Sequence, residues 1–267
     1  MLKIVACIKQ VPATTNVRID PETNALIRDG VESQVNPFDE NAIEAALQVK
    51  EALGGDAYVV ALSMGPPQAE TILRDAVALG CDDAILLTDA KFRGSDTLAT
   101  SYTLARAIRK IGDVDLILCG KQAIDGDTAQ VGPGIAEHLG IPQITFAIEL
   151  SVDGKQVTAR RMLEDSFEIV ECRVPALVTV VKQINEPRRA SMKNVLKARH
   201  HEIRKWSAAD VEAEDDRIGF EGSPTVVWQI FTPPKREGGR VLEGTVEEMV
   251  SELAGEILEI RKSLASS

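Results

Sequence analysis

The sequence predicts an α/β fold: a Rossmann-like parallel sheet flanked by helices, extended by antiparallel strands and followed by a C-terminal arm. Three observations predict it. Between Lys3 and Cys119, short apolar β-branched runs alternate with amphipathic stretches, the pattern of parallel strands joined by crossover helices. A Gly-rich turn, residues 120–133, follows the last of these runs. After Gln143 the alternation gives way to consecutive β-like runs.

Residues 3–11 read as the first strand. Residues 17–19 and 26–28 flank a turn at 20–24 that contains Pro21 and Asn24, and read as a short hairpin appendage. Residues 39–53 read as a helix, because Ile43, Ala46, Leu47, Lys50 and Leu53 share one face and Gly54-Gly55 stops it. Strands over 58–64, 84–87 and 114–119 alternate with helices over 67–79 and 95–111. Ligands of such sheets sit at the carboxyl ends of the strands, where strand order switches. The β-like runs at 144–150, 156–162, 167–172 and 176–181, with a turn at Asp153-Gly154, read as antiparallel hairpins extending the sheet.

From Asn185 the chain reads as polar and mostly irregular. Pro233-Pro234 and Gly238-Gly239 mark a linker, and a helix follows over about 243–264. Residues 1–232 are thus expected to form the α/β domain, and residues 233–267 the linker and arm. On the arm, Val246, Met249, Val250, Leu253, Ile257, Ile260 and Leu264 make an apolar stripe at helical spacing. Such a stripe packs on its own domain or, after so polar a linker, on a partner subunit.

A chain of 267 residues with 44% hydrophobic content suits one large domain with appendages. No apolar run reaches membrane-spanning length and no signal-peptide pattern opens the chain, so cytoplasm and no membrane insertion are expected. Cys7, Cys81, Cys119 and Cys172 lie far apart without a C-x-x-C pair and read as buried thiols. With only His138, His200 and His201 for histidines, neither a zinc site nor a Ser/His/Asp triad is expected. The net charge of −11 hides a basic segment: Arg188, Arg189, Lys193, Lys197, Arg199, Arg204 and Lys205 stand against Glu202 alone. Nucleic acid is disfavoured, because the acidic remainder repels phosphate and no aromatics interleave these cations. Docking to another protein fits better.

The turn Gly120-Lys-Gln-Ala-Ile-Asp-Gly-Asp-Thr-Ala-Gln-Val-Gly-Pro133 lies between a strand and a short helix, with Pro133 near the first helical turn and Gly140 past its end. Such a junction exposes backbone N–H groups and a positive dipole end, where a nucleotide phosphate sits. It is neither a P-loop nor G-x-G-x-x-G, so these residues alone specify only an anion or nucleotide loop. Asp125 and Asp127 must then turn away from the phosphates.

This loop resembles the nucleotide loop of electron transfer flavoprotein β subunits. The resemblance continues through Ile4-Val-Ala-Cys-Ile-Lys-Gln-Val11, Asn36-Pro-Phe-Asp-Glu40, Gly65-Pro-Pro67, Ala159-Arg-Arg-Met-Leu-Glu-Asp165, Pro175-Ala-Leu-Val-Thr179 and Asn185-Glu-Pro-Arg188. Asp165 stands where many members have Gly. The family implies an electron carrier whose redox chemistry resides in a flavin, so no catalytic side chain is expected. Position-to-position matching implies nucleotide contacts from Cys7, Asn36, Asp39 and Met64, and from Gly120, Gln122, Asp125, Gly126, Asp127, Thr128, Ala129, Gln130 and Val131. Singly, Cys7 and Met64 read as core and Asn36 and Asp39 as a helix cap. Together, at the ends of consecutive strands, they favour a site.

In members that shuttle single electrons this site resembles an AMP site; in electron-bifurcating members it holds FAD. Asp96-Thr97-x-x-Thr100 resembles the bifurcating pattern, although the same residues make an ordinary helix cap. That resemblance implies FAD here, with AMP the alternative, and a second FAD on a partner α subunit. It further implies NADH as donor, ferredoxin or flavodoxin as low-potential acceptor, and an acyl-CoA or hydroxy-acid dehydrogenase as the other partner. Residues 186–200 match the partner-docking loop, with Met192 as apolar centre among Arg189, Lys193 and Lys197. The alternatives are a non-bifurcating β subunit with structural AMP and a free-standing nucleotide sensor.

Overall fold

The computed structural model describes residues 1–13, 18–19, 26–27, 33–227 and 238–265, and the chain divides into two units, residues 1–230 and 231–267. The first unit opens with β1 (Leu2–Cys7) and β2 (Gln10–Pro12), then the paired short strands β3 (Arg18–Ile19) and β4 (Leu26–Ile27), then β5 (Ser33–Val35). Next come α1 (Pro37–Ala52), β6 (Ala57–Met64), α2 (Glu70–Leu79), β7 (Asp83–Leu87), α3 (Thr97–Ile111), β8 (Leu116–Gly120) and α4 (Val131–Leu139). β9 (Gln143–Asp153), β10 (Gln156–Met162), β11 (Phe167–Arg173) and β12 (Ala176–Val180) follow, then α5 (Met192–Arg199) and β13 (Arg204–Trp206).

The main sheet runs β11-β10-β9-β12-β8-β1-β6-β7-β13. All pairs from β9 to β13 along this order are parallel; β9–β10 and β10–β11 are antiparallel. β1 alternates between two cores. Ile4, Ala6 and Ile8 face α1, α2 and α5, whereas Val5 and Cys7 face α3 and α4. A strand buried on both faces must be apolar throughout, which is why these runs lack the polar alternation of a half-exposed sheet.

Three expectations change. The first strand is two: β2 leaves β1 and pairs antiparallel with β5 in a separate sheet. Residues 176–180 are not part of an antiparallel hairpin. β12 lies between β8 and β9, parallel to both, and its five residues are all buried. Residues after Asn185 are not merely irregular, since they form α5 and β13, the latter an edge strand on β7. The hairpin turn at 20–24 and the Pro233-Pro234 linker lie outside the described residues.

α4 sits unusually close to its neighbours because it carries two early glycines. A Cβ on Gly132 would stand 2.7 Å from Thr179 Cγ2, and one on Gly134 would stand 2.6 Å from Ser101 Oγ of α3. Gly140 closes the helix in the left-handed region at φ 69°. In the second unit, α6 (Val246–Ala265) begins with a capping box. Glu248 Oε2 accepts the Thr245 N–H at 2.8 Å, and Thr245 Oγ1 accepts the Glu248 N–H at 3.3 Å. Among the described residues no helix is long and apolar enough to cross a membrane.

Gly134→Ala tests the close approach of α3 and α4. Helix propensity alone favours Ala by about 1 kcal/mol, whereas overpacking costs about 1–3 kcal/mol. A net loss of stability is expected, read as a lower urea midpoint at unchanged slope; a higher midpoint would show that the two helices separate at no cost.

Candidate functional site

β1 and β8 are neighbours at the centre of the sheet, with later strands lying to either side of the pair. Their carboxyl ends form the switch-point crevice that takes ligands in open α/β sheets. Asp39, in the first turn of α1, spans this crevice. One carboxylate oxygen accepts the Lys9 N–H at 2.8 Å, beyond the end of β1, and the other accepts the Gly120 N–H at 3.1 Å, at the end of β8. Gly120 has to be glycine, because a Cβ there would collide with Asp39 Oδ1 and with Phe38. Burial pushes the Asp39 carboxyl up to about 7, against the hydrogen bonds from Asn36, Lys9 and Gly120 and the Lys9 charge.

Asn36 is fully buried and holds the loop that follows β8. Its Nδ2 donates to the Gln122 carbonyl at 2.8 Å, and its Oδ1 accepts the Ile124 N–H at 3.1 Å. Asn36 stands at the N-cap of α1, where its carbonyl accepts the Asp39 and Glu40 N–H groups, but neither its side chain nor that of Asp39 makes a cap hydrogen bond. Their polar atoms are used on loop backbone, so they position the loop. The two exposed carboxylates of the loop are held by the protein: Asp125 pairs with Lys9 Nζ at 2.7 Å, and Asp127 accepts from Gln122 Nε2 at 2.7 Å.

Asp127 and Ala129 adopt φ of 49° and 54°, the left-handed region that costs a residue with a Cβ about 1 kcal/mol or more. Gly126, between the two aspartates, does not take that conformation. The strain is sustained by the hydrogen bonds that fix the loop on either side. A left-handed residue followed directly by a right-handed one, as Ala129 is by Gln130, turns successive N–H groups toward the same side. Among the described residues no group accepts the N–H of Thr128, Ala129 or Gln130, and the loop runs directly into the N-terminus of α4 at Val131. Open amides and a helix dipole together form an anion cradle that fits a nucleotide phosphate.

The start of α3 joins this cradle. Thr97 Oγ1 donates to Gln130 Oε1 at 2.9 Å, linking the first turn of α3 to the residue before α4. Asp96 is the α3 cap, accepting from the Leu98 and Ala99 N–H groups at 2.9 and 3.1 Å. Burial opposes its charge, but hydrogen bonds from Ala99, Thr225 and Leu98 outweigh that and hold its carboxyl below the usual range. Thr100 makes no side-chain hydrogen bond among the described residues. Cys7 and Met64 present core side chains: Cys7 lies opposite Cys119 in register, and Met64 packs partly against the same cluster. The hydrogen bond with Cys7 and burial push the Cys119 thiol well up, so it is inert. A cavity of about 580 Å³ lies at the opposite, amino ends of the strands, and one of about 450 Å³ lies between the C-terminal ends of α1 and α2 beside Arg188; this loop lines neither.

A second feature is the helix α5, packed on α2. Arg188, just before it, is held by both oxygens of the buried Glu44 and by Glu51. At its C-terminal end, Arg74 Nη1 donates to the carbonyls of Ala198, Arg199 and His201. Between these anchors Met192 and Leu196 are 77% and 54% exposed, one turn apart, flanked by exposed Arg189, Lys193 and Lys197. Leu196 was legible in the sequence only if residues 192–199 were taken as a helix, which the Ser191 cap signals by accepting the Asn194 N–H.

A parallel α/β sheet whose switch-point loop presents open amides and a helix N-terminus is the kind of scaffold that can hold a nucleotide phosphate. The family model described as electron transfer flavoprotein domain matches residues 23–211. Electron transfer flavoprotein subunit beta of Megasphaera elsdenii is 52% identical over 248 residues, 91% of this chain and 92% of that protein. The caffeyl-CoA reductase-Etf complex subunit CarD of Acetobacterium woodii is 44% identical over 257 residues, 96% of this chain and 97% of that protein. Protein FixA of Bradyrhizobium diazoefficiens is 46% identical over 252 residues, 91% of this chain and 87% of that protein. The chain belongs to the electron transfer flavoprotein family, on its β-subunit side. That sets aside the free-standing sensor.

The crevice carboxyl gives a pH test. Because the folded value of about 7 lies above the ordinary 3.8, Asp39 favours the folded state fully below 3.8, and this contribution is lost as pH rises through about 7. Urea stability should therefore fall from about pH 5 to about pH 7, at most on the order of 1.4 kcal/mol per unit from this group. Asp39→Asn should be less stable, since an amide NH2 cannot accept one of the two N–H groups, and should lose that part of the slope. An unchanged slope in the variant would mean that Asp39 titrates elsewhere.

Proposed function

We propose that this chain is the small subunit of a heterodimeric, cytoplasmic electron transfer flavoprotein that carries out flavin-based electron bifurcation. NADH is the donor. A low-potential acceptor such as ferredoxin or flavodoxin and, through a second FAD on the α subunit, an acyl-CoA or hydroxy-acid dehydrogenase are the acceptors. The observation that carries this reading is the junction of the α3 start with the nucleotide loop through Thr97 and Gln130, which puts the Asp96/Thr97/Thr100 set beside the cradle. The name of the CarD relative, a subunit of a caffeyl-CoA reductase complex, supports a CoA-thioester dehydrogenase as partner.

An FAD held here would supply hydride and single-electron exchange. The chain's own residues bind and orient. The amides of Thr128, Ala129 and Gln130 and the α4 N-terminus receive phosphate, while Asn36 and Asp39 keep the loop aligned with the strand ends. Lys9 neutralises Asp125 and so removes a repulsion from the phosphates. Thr100 keeps a hydroxyl open to a nucleotide that reaches α3. Structural AMP is the second reading, favoured by one observation: both Asp96 oxygens already have partners, one in the α3 cap and the other in Thr225, and Thr97 already has Gln130. The arm helix α6 docks on the larger subunit, supported by the apolar stripe that Val246, Val250, Leu253, Ile257, Ile260 and Leu264 make at helical spacing.

Nucleotides released by denaturing the purified heterodimer separate the two readings: two FAD per complex supports bifurcation, and one FAD plus one AMP refutes it.

The α5 pair is the docking point for the dehydrogenase, with its cations as a rim. Burying a side chain of this size contributes about 1.5–3 kcal/mol, so Met192→Ala with Leu196→Ala should slow reduction of limiting dehydrogenase by about tenfold or more. NADH oxidation by an artificial acceptor should be unaffected. Lys193→Gln with Lys197→Gln should mainly flatten the salt dependence. A double-alanine variant that reduces the dehydrogenase at the full rate would leave α5 a solvated basic surface.

A further inference from the structure

The segment from Glu214 to Thr225 follows the nucleotide loop by more than eighty residues in sequence, yet it lies on the N-terminus of α3. Four groups fasten it there. The Asp96 oxygen not used by the cap accepts both the N–H and the hydroxyl of Thr225, at 3.1 and 2.8 Å. The Asp96 N–H donates to Ser223 Oγ at 2.8 Å, and Ser223 in turn donates to the Gly219 carbonyl at 2.6 Å. The Gly219 N–H donates to Ser95 Oγ at 3.0 Å. Lys91 and Asp215 pair at 2.8 Å across the same contact.

The packing allows no looser version. Gly219 has φ of 59°, and a Cβ on it would collide with the Lys91 carbonyl. Gly94 lies under the Phe220 ring, so any side chain there would displace it. Ile218 is buried in the same core cluster as Tyr102 of α3.

A connected path therefore runs by hydrogen bonds from Thr225 and Ser223 to Asp96, along the backbone to Thr97, and by a further hydrogen bond from Thr97 to Gln130 in the nucleotide loop. We propose that the strap from Glu214 to Thr225 is a built part of the nucleotide site, with Thr225 and Ser223 as positioning residues that fix the α3 start against the part of the nucleotide beyond its AMP half. Asp96 on this account is not a ligand but the post to which the strap is tied. The proposal rests on the reading that the ligand is FAD reaching α3.

The test uses the full-length heterodimer stripped of the small-subunit nucleotide and titrated in parallel with FAD and with AMP. Thr225→Val keeps the shape and the backbone N–H but removes the hydroxyl. It should weaken FAD by about tenfold, the scale of one charge-assisted hydrogen bond, and leave AMP within about twofold. Thr225→Ser should restore FAD affinity. Without any nucleotide, hydrogen exchange at the Leu98 and Ala99 amides should quicken in Thr225→Val and recover in Thr225→Ser. Unchanged FAD affinity in Thr225→Val, or an equal loss for FAD and AMP, overturns the strap's role. A parent complex that takes AMP but no FAD overturns the FAD reading instead, and shows it before any variant is compared.

Discussion

One buried carboxylate holds the working end of this protein together. β1 and β8 are parallel neighbours, so their backbone ladder stops where the strands stop, and beyond that point nothing in the sheet fixes the two chains relative to each other. Asp39 replaces the missing rungs by taking the Lys9 N–H with one oxygen and the Gly120 N–H with the other. Asn36 continues the same work one step outward on Gln122 and Ile124. A loop with two residues in left-handed conformation stays formed because it is tied at its root. The cost is a desolvated acid, and it appears as the raised Asp39 carboxyl.

The local parts of this arrangement were legible in the sequence. A β-branched run, a Gly-rich turn and a Pro- and Gly-bounded helix announce the loop from adjacent residues. The alternation ahead of it announces the parallel sheet. The roles of Asn36 and Asp39 were not legible, because their partners in the loop lie more than eighty residues away and only burial shows that their polar atoms face backbone. β12 carried a signal that the reading missed. Ala176-Leu-Val-Thr-Val180 has no polar alternation, and a run buried on both faces belongs inside a parallel sheet. β13 carried none: three residues, two of them charged, make an ordinary edge strand that only its pairing with β7 reveals.

α5 shows how a charged stretch can be ordered. Its cations suggest a solvated loop, yet Arg188 is held by the buried Glu44 and by Glu51, and Arg74 gathers three carbonyls at the far end. Both anchors are arginines that make several hydrogen bonds at once, which a lysine cannot reproduce. Val195 and Ala198 face the core while Met192 and Leu196 face out. An apolar pair on a fixed helix loses little conformational freedom when it is buried by a partner, so more of its burial survives as affinity.

An acidic chain that binds an anionic nucleotide needs an electrostatic explanation, since its net charge is −11. Asp39, Asp96, Asp125 and Asp127 all stand around the cradle, and none is left bare. Asp39 has two backbone N–H donors, Asp96 has the α3 amides and Thr225, Asp125 has Lys9, and Asp127 has Gln122. Charges elsewhere on the surface act through water and salt and fade beyond roughly 8–10 Å. Amides at hydrogen-bond distance act on the phosphate directly and at lower effective dielectric. The sign of the site is therefore set by the N–H groups of Thr128 to Gln130 and the start of α4, and the acidic surface bears on the encounter rate more than on the bound state.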